Sequence, residues 1–247
     1  MAFLTFLLNF SGIYLEEAFL PDGAVRLDFS DLEGTECYCS DASGKEVCRR
    51  ISPFPFRALH WIDGGDYHYV SKFWLEKIDR PFDLVLFDHH SDDQPPAWGE
   101  GLLSCGAWVA QARRDLPLLR ETFWVPGVPE FPSRTPVPGE PLRADPSSLR
   151  PEASGRPAFL CPGRPVYLSI DKDVLSPEFA RTNWDQGEMT LLQLEDLVRS
   201  IASVREILGV DICGGLSVSK GACGKDVEIN RRCDEELQAF FVSLQTI

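Results

Sequence analysis

Two apolar runs in this chain end abruptly in acidic clusters. Leu84-Val-Leu-Phe87 runs into Asp88-His-His90-Ser-Asp92, and Val166-Tyr-Leu-Ser-Ile170 runs into Asp171-Lys-Asp173. In each cluster the candidate ligands stand two residues apart. Alternate residues of an extended chain face the same side, so the spacing predicts that they converge on one point as each strand leaves the core. A lone Asp-x-Asp is ordinarily a solvated loop; two such strand ends in one chain point to a shared site. Carboxylates with one or two imidazoles suit a hard-to-borderline divalent ion such as manganese better than an ion that prefers thiolates. The number of ligands accommodates more than one ion.

Strand candidates alternate with helical ones along the chain. The spans 5–8, 58–62, 82–87, 122–125, 166–170 and 206–210 are short runs rich in β-branched and aromatic residues, as strands buried on both faces tend to be. Amphipathic stretches fall at 40–51, 67–78, 105–116, 191–204 and 234–244. The stretch at 191–204 has a start signal in Thr190 followed three residues later by Gln193. This alternation predicts an α/β protein with a mainly parallel sheet covered on both sides. Ligands in such sheets gather where the strands end at their carboxyl side, which is where both aspartate clusters lie. Residues 126–165 break the rhythm as a Pro-rich irregular excursion, so the expectation is one domain over 1–247 interrupted there.

The 247 residues are 44% hydrophobic, enough for one substantial core, and carry 24 basic against 38 acidic side chains for a net charge of −14. That balance argues against nucleic acid or an anionic membrane as partner and favours a cationic or neutral small molecule. The apolar start, Met1 to Phe10, has neither a basic leader nor a small-residue cleavage site and reads as a first buried strand. No stretch approaches the roughly 20 apolar residues that cross a bilayer. The eight cysteines are scattered, several beside apolar runs, and read as buried thiols of a cytoplasmic protein rather than as disulfides or a zinc site. Composition leaves a homo-oligomer open.

A third segment, Trp61-Ile-Asp63-Gly64-Gly65-Asp66-Tyr67-His68, places two glycines in a tight strand-to-helix turn just before a histidine. With it, the chain resembles the arginase, agmatinase and formimidoylglutamase superfamily of ureohydrolases. The resemblance rests on Gly-Gly-Asp-(Tyr)-His, Asp-x-His-x-Asp and Ser-x-Asp-x-Asp in that order, and covers roughly residues 58–212. It implies a three-layer α/β/α sandwich and two Mn²⁺ ions per subunit. It also implies metal ligands at His68, Asp88, His90, Asp92, Asp171 and Asp173, with His68 displaced one residue by the inserted Tyr67. The implied reaction is hydrolysis of a C–N bond, other than a peptide bond, in a guanidino, amidino or linear amide compound by a metal-bridging hydroxide. Asp92 would hydrogen-bond that hydroxide. Two ions held roughly 3.5–4 Å apart lower the pKa of a shared water enough for hydroxide to form at neutral pH.

The chain departs from that pattern where substrate and protons are handled. The family's shuttle histidine falls at Leu103-Ser104-Cys105-Gly106, so Cys105 takes the catalytic position, a role that needs a depressed thiol pKa. The histidines stand at 60, 68, 89 and 90, and none lies further on. His89 and His60 read as packing residues. The glutamate that recognises a guanidinium after the last strand is out of register, which leaves Asp211, or the later Asp226 or Glu228, to replace it. Trp184 and Glu188 sit in the loop where members place substrate contacts. Two other readings stay open: a haloacid-dehalogenase-like phosphatase using Asp171 as nucleophile, and a non-catalytic, metal-binding protein of arginase fold.

Overall fold

The computed structural model describes residues 4–14, 19–95, 101–127, 142–143 and 164–244. In chain order the elements are β1 (Leu4–Asn9), β2 (Val25–Asp28), β3 (Tyr38–Cys39), α1 (Asp41–Ile51), β4 (Ala58–Ile62), α2 (Val70–Leu75), β5 (Phe82–Phe87) and β6 (Leu103–Ser104). They continue with α3 (Trp108–Asp115), β7 (Leu119–Val125), β8 (Leu142–Arg143), β9 (Val166–Asp171), α4 (Leu191–Ala202), β10 (Ile207–Cys213) and α5 (Gly224–Leu244). Eight strands form one sheet in the order β2-β1-β4-β10-β9-β5-β7-β8, and every pairing in it is parallel. The short strands β3 and β6 pair antiparallel beside it.

The period of two along each strand sorts the core into two layers. Val85 and Phe87 of β5, with Leu168 and Ile170 of β9, pack under Leu194, Leu197 and Ile201 of α4 and Leu237 and Phe241 of α5. Leu84 and Leu86 of β5, with Tyr167 of β9, face Val47 of α1, Trp74 of α2 and Trp108 of α3. The sheet is thus sandwiched between helices, as the alternation predicts. Each fully buried leucine contributes roughly 1.5–3 kcal/mol from apolar burial. Thr190 and Gln193 close a reciprocal capping box at the start of α4.

Several boundaries differ from expectation, α2 covering only Val70–Leu75 of the expected 67–78 and β7 starting at Leu119 rather than at 122. Helix α5 begins at Gly224 rather than at 234, because its first turns carry charged, partly solvated residues without an apolar stripe. Strand β2 is half exposed at the sheet edge and has no buried run to announce it. Strand β10 continues to Cys213, three residues past the expected end at 210. Most of the Pro-rich excursion lies outside the described residues.

Candidate metal centre

The strands β4, β10, β9 and β5 are neighbours in the sheet, so their carboxyl ends open on one spot. Asp88 follows β5 directly, Asp171 closes β9 and Cys213 closes β10. The Asp88 cluster does not converge by extended geometry as the spacing suggests, since β5 stops at Phe87. Instead the His90 N–H donates to Asp88 Oδ1 at 2.6 Å, and Asp92 adopts the left-handed φ of 48° that aspartate tolerates better than most residues. That turn splits the cluster: Asp88 and Asp92 meet His68, while His90 swings toward Asp173.

The inserted Tyr67 is absorbed by a 3-10 turn over Gly65–Tyr67, with His68 as its last residue. Gly65 must be glycine, because a Cβ there would stand 2.8 Å from Asp171 Oδ2. His68 Nδ1 lies 3.1 Å from Asp88 Oδ2, 3.0 Å from Asp92 Oδ2 and 3.7 Å from Asp171 Oδ2. His90 Nδ1 lies 2.8 Å from Asp173 Oδ2 and 3.6 Å from Asp88 Oδ1. The two oxygens of Asp88 therefore face two separate groups of donors. The six side chains expected as ligands form an inner group around His68 and an outer group around His90.

The charge balance of this cluster is poor for a protein alone. Burial and the neighbouring Asp92 push Asp88 up to about 6, and burial with Asp173 does the same for Asp171. Burial and Asp88 raise Asp173 to about 7, and burial raises Asp92 as well. Hydrogen bonds with Asp173 and Asp88 lift His90 to about 11. Burial opposes protonation of His68, but Cys213, Asp88 and Asp92 outweigh it and raise its pKa. Four buried aspartates thus find ion-pair partners only in two histidines among the described residues. Yet His68 Nδ1, fully buried and aimed among carboxylate oxygens, makes no well-directed hydrogen bond. An oxygen-rich donor set, a surplus of buried negative charge and an imidazole nitrogen aimed among carboxylates without a well-directed hydrogen bond are what a site for divalent cations requires.

Surrounding groups hold the ligands in place. His68 Nε2 meets Ser169 Oγ at 2.9 Å, and Ser169 Oγ donates to Asp211 Oδ1 at 2.6 Å. This carboxylate–hydroxyl–imidazole chain fixes which ring nitrogen faces the cluster. Trp108 Nε1 donates to Asp92 Oδ2 at 2.8 Å, and Trp124 Nε1 to the Asp88 carbonyl at 2.7 Å. Asp63 accepts from the backbone N–H groups of Phe10, Ser11 and Gly64, tying the end of β4 to the end of β1.

A cavity of about 290 Å³ opens above the cluster and is walled by Cys37, Tyr38, Gln94, Cys105 and Trp184. Trp184 Nε1 donates to Asp66 at 3.0 Å, and Asn183 Nδ2 donates to the same oxygen. Asp211 is not on this wall: it lies fully buried on β10, behind Ser169, because its side chain faces α2 rather than the cavity. Glu188 is exposed and off the wall, and Asp226 and Glu228 on α5, both partly buried, are off it too. Cys105 is on the wall, but burial and the adjacent Asp92 push its thiol up, the opposite of what a proton shuttle needs. His60 is a core residue stacked on Trp74 with Nδ1 3.0 Å from the Tyr167 hydroxyl, and burial lowers it to about 3. His89 contributes its N–H to Asp173 Oδ1 at 2.9 Å. Sequence reasoning gave no part in the site to Ser169, quoted only as the first residue of Ser-x-Asp-x-Asp, or to Cys213, read only as a buried thiol. Both share a strand face with residues already singled out, Asp171 and Asp211, and the period of two could have found them.

No family model matches the sequence. Over 215 residues the chain is 33% identical to an uncharacterized protein of Thermotoga maritima, covering 84% of this chain and 78% of that one, and the two belong to one family. Among solved structures, proclavaminate amidino hydrolase from Streptomyces clavuligerus superposes with a TM-score of 0.63 at 14% identity, covering 97% of this chain and 92% of that one. A triple mutant of a T. brucei arginase-like protein bound with Mn²⁺ superposes with a TM-score of 0.56 at 16% identity, covering 99% and 91%. The chain has the arginase-like α/β fold of these structures. Asp171 lies in one acidic cluster with Asp92 and Asp173, and the phosphatase alternative gives Asp88, His90 and Asp92 no part in it.

Proposed function

We propose that this ureohydrolase-fold protein is a binuclear metal hydrolase that cleaves a C–N bond, other than a peptide bond, in a guanidino, amidino or linear amide compound. The observation that carries the proposal is the cluster itself: four buried aspartates and two histidines, split into two donor groups that share Asp88, with no lysine or arginine paired to them among the described residues. Manganese is the ion we assign first, because the donors are mostly oxygen and a structural neighbour binds it. His68, Asp88, Asp92 and Asp171 would hold the inner ion, and His90, Asp88 and Asp173 the outer one. When bound, the pair of ions supplies Lewis acidity and lowers the pKa of a water at the site.

The chain's own residues do the rest. Asp92, oriented by the Trp108 indole N–H at its Oδ2, would accept a proton from the attacking water and return it to the departing amine. Cys105, held as a neutral thiol, packs the wall instead of moving that proton. Trp184, fixed by Asp66, lines the cavity and would orient the substrate. The acidic cavity selects a cationic or neutral small molecule. Asp211 acts at one remove, through Ser169, to orient His68. We read the whole chain as one arginase-like domain of a cytoplasmic protein. Among the described residues no helix is long and apolar enough to cross a membrane.

The test is metal content of protein purified with manganese, for wild type beside Asp88→Ala and Asp171→Ala, followed by urea and ammonia release over a panel of guanidino and amide compounds. Two ions in wild type, loss in both variants and turnover of one compound support the proposal. A full complement of ions in either variant would sink it.

A further inference from the structure

Cys213 is the one strongly buried side chain at the metal cluster that the proposed reaction does not use. It closes β10, shows no exposed surface, and its Sγ lies 3.2 Å from Asp171 Oδ2. The period of two puts it on the face of β10 that carries Asp211, and it packs with the residues under α2. Its sulfur, an imidazole nitrogen of His68 and a carboxylate oxygen of Asp171 all lie within 4.8 Å of one another, close enough to bind one ion. The second pointer is His68 Nδ1, completely enclosed, 3.7 Å from the Asp171 oxygen that the Cys213 sulfur also meets, and without a well-directed hydrogen bond. Immediately after Cys213 the chain turns through Gly214 at a φ of +95°, and a Cβ there would stand 2.2 Å from Asp171 Oδ1. The backbone is therefore pressed against the carboxylate, and the thiol is delivered with it.

We propose that Cys213 is a thiolate ligand of the inner ion, adding sulfur to the nitrogen of His68 and the oxygen of Asp171, the two donors grouped with it. One thiolate changes which ion the position prefers. Soft sulfur favours zinc, cobalt(II) or iron(II) over manganese, whereas the outer group, built from His90, Asp88 and Asp173 alone, keeps the preference of an oxygen-rich site. The two positions are thus chemically unequal, with a borderline ion inside and a harder one outside. As the sulfur takes the ion, the thiol proton leaves to solvent, as for any cysteine ligand. This inference rests on the metal centre proposed above.

The experiment is cobalt(II) titration of the metal-free full-length protein, following both bound cobalt and the near-ultraviolet thiolate-to-cobalt charge-transfer band. The expected result is a band that saturates with the first equivalent in wild type, persists in Cys37→Ser and Cys105→Ser, and vanishes in Cys213→Ser while that variant still binds cobalt. Competition of zinc against manganese should shift toward manganese in Cys213→Ser by about tenfold or more, the scale on which even an outer partner of a ligand acts. If the variant fails to fold, X-ray absorption of wild type carrying one zinc decides the question by the presence of a sulfur shell at about 2.3 Å. Cobalt bound without the band, a band that survives in Cys213→Ser, or a zinc site without sulfur overturns the role of Cys213 and leaves the metal centre standing. No bound cobalt at all overturns both.

Discussion

Strand β5 carries a buried aspartate near its start and another just past its end, and the two are treated in opposite ways. Asp83, fully buried, pairs with Arg205, itself buried, and with Arg164 at 2.9 Å. Asp88, as deeply buried, stands among three more aspartates and pairs only with histidines. Elsewhere in the core the pattern at Asp83 recurs: Lys172, between two cluster residues in sequence, turns to the opposite side of the sheet and meets Asp234 of α5 at 2.6 Å. A buried acid matched by a protein cation is part of the scaffold. Buried acids gathered without one mark the place where a cation from outside belongs.

That contrast is broken or sharpened most directly by neutralising each aspartate in turn. Asp83→Asn strands the Arg205 guanidinium, so unfolding in denaturant should show a loss of about 3–5 kcal/mol with metal content per folded molecule unchanged. Asp88→Asn should do the reverse: both ions lost by mass spectrometry, and a metal-free protein no less stable than wild type, because a like charge has left the cluster. If Asp83→Asn lost metal while keeping its stability, the division between the two ends would collapse.

The next largest effect is on pH dependence without metal. Asp88 and Asp171 sit at about 6 and Asp173 at about 7 in the folded state, above the unfolded value of about 3.9. The folded protein therefore binds more protons than the unfolded chain between about pH 4 and pH 7, and this contribution to stability is lost as pH rises through that window. His90, held at about 11, loses its own contribution later, from its unfolded value upward. Melting temperatures of metal-free wild type and Asp173→Asn across this range should diverge, the variant showing the smaller decline with rising pH. Added divalent metal should restore stability at the upper end, where the carboxylates are charged. Parallel curves would mean that the cluster does not titrate as a unit.

Ser169→Ala tests how far the cluster depends on its support. The hydroxyl joins His68 to Asp211, and its removal should weaken metal binding by roughly 10–100-fold while leaving two ions at saturation. Unchanged affinity would reduce the serine and Asp211 to packing. The smallest effect belongs to the far rim of the sheet, where Glu206 bridges Arg57 and Arg80 with all three side chains about half exposed. Glu206→Gln should cost no more than about 1 kcal/mol and leave metal binding untouched.

Much of this arrangement was legible in the sequence because burial on both faces leaves a direct trace. The cores of β4, β5 and β9 are continuous apolar runs, and the acids that end them announce where the sheet opens. The edge strand β2 and the first turns of α5 left no such trace, being half solvated. Within the site, Asp88, His90 and Asp92 were visible by spacing, but their division between two donor groups was not. It depends on one left-handed residue, Asp92, whose conformation no spacing reveals. Asp211 illustrates the opposite error, since a carboxylate at a strand end looked available to substrate, yet the strand continues past it to Cys213 and buries it behind Ser169.

By itself, then, the sequence determined the parallel α/β architecture and which acidic and imidazole side chains stand at its carboxyl edge, because both follow from local alternation and from where apolar runs stop. Only the tertiary structure decided that Asp88, Asp92 and Asp171 gather at His68 while Asp173 meets His90, that Cys105 lines the cavity and that the Cys213 sulfur stands beside Asp171. Those outcomes depend on strands distant in sequence becoming neighbours in the order β4-β10-β9-β5. Distances between side chains on such strands are set by sheet register and packing, which no single segment encodes.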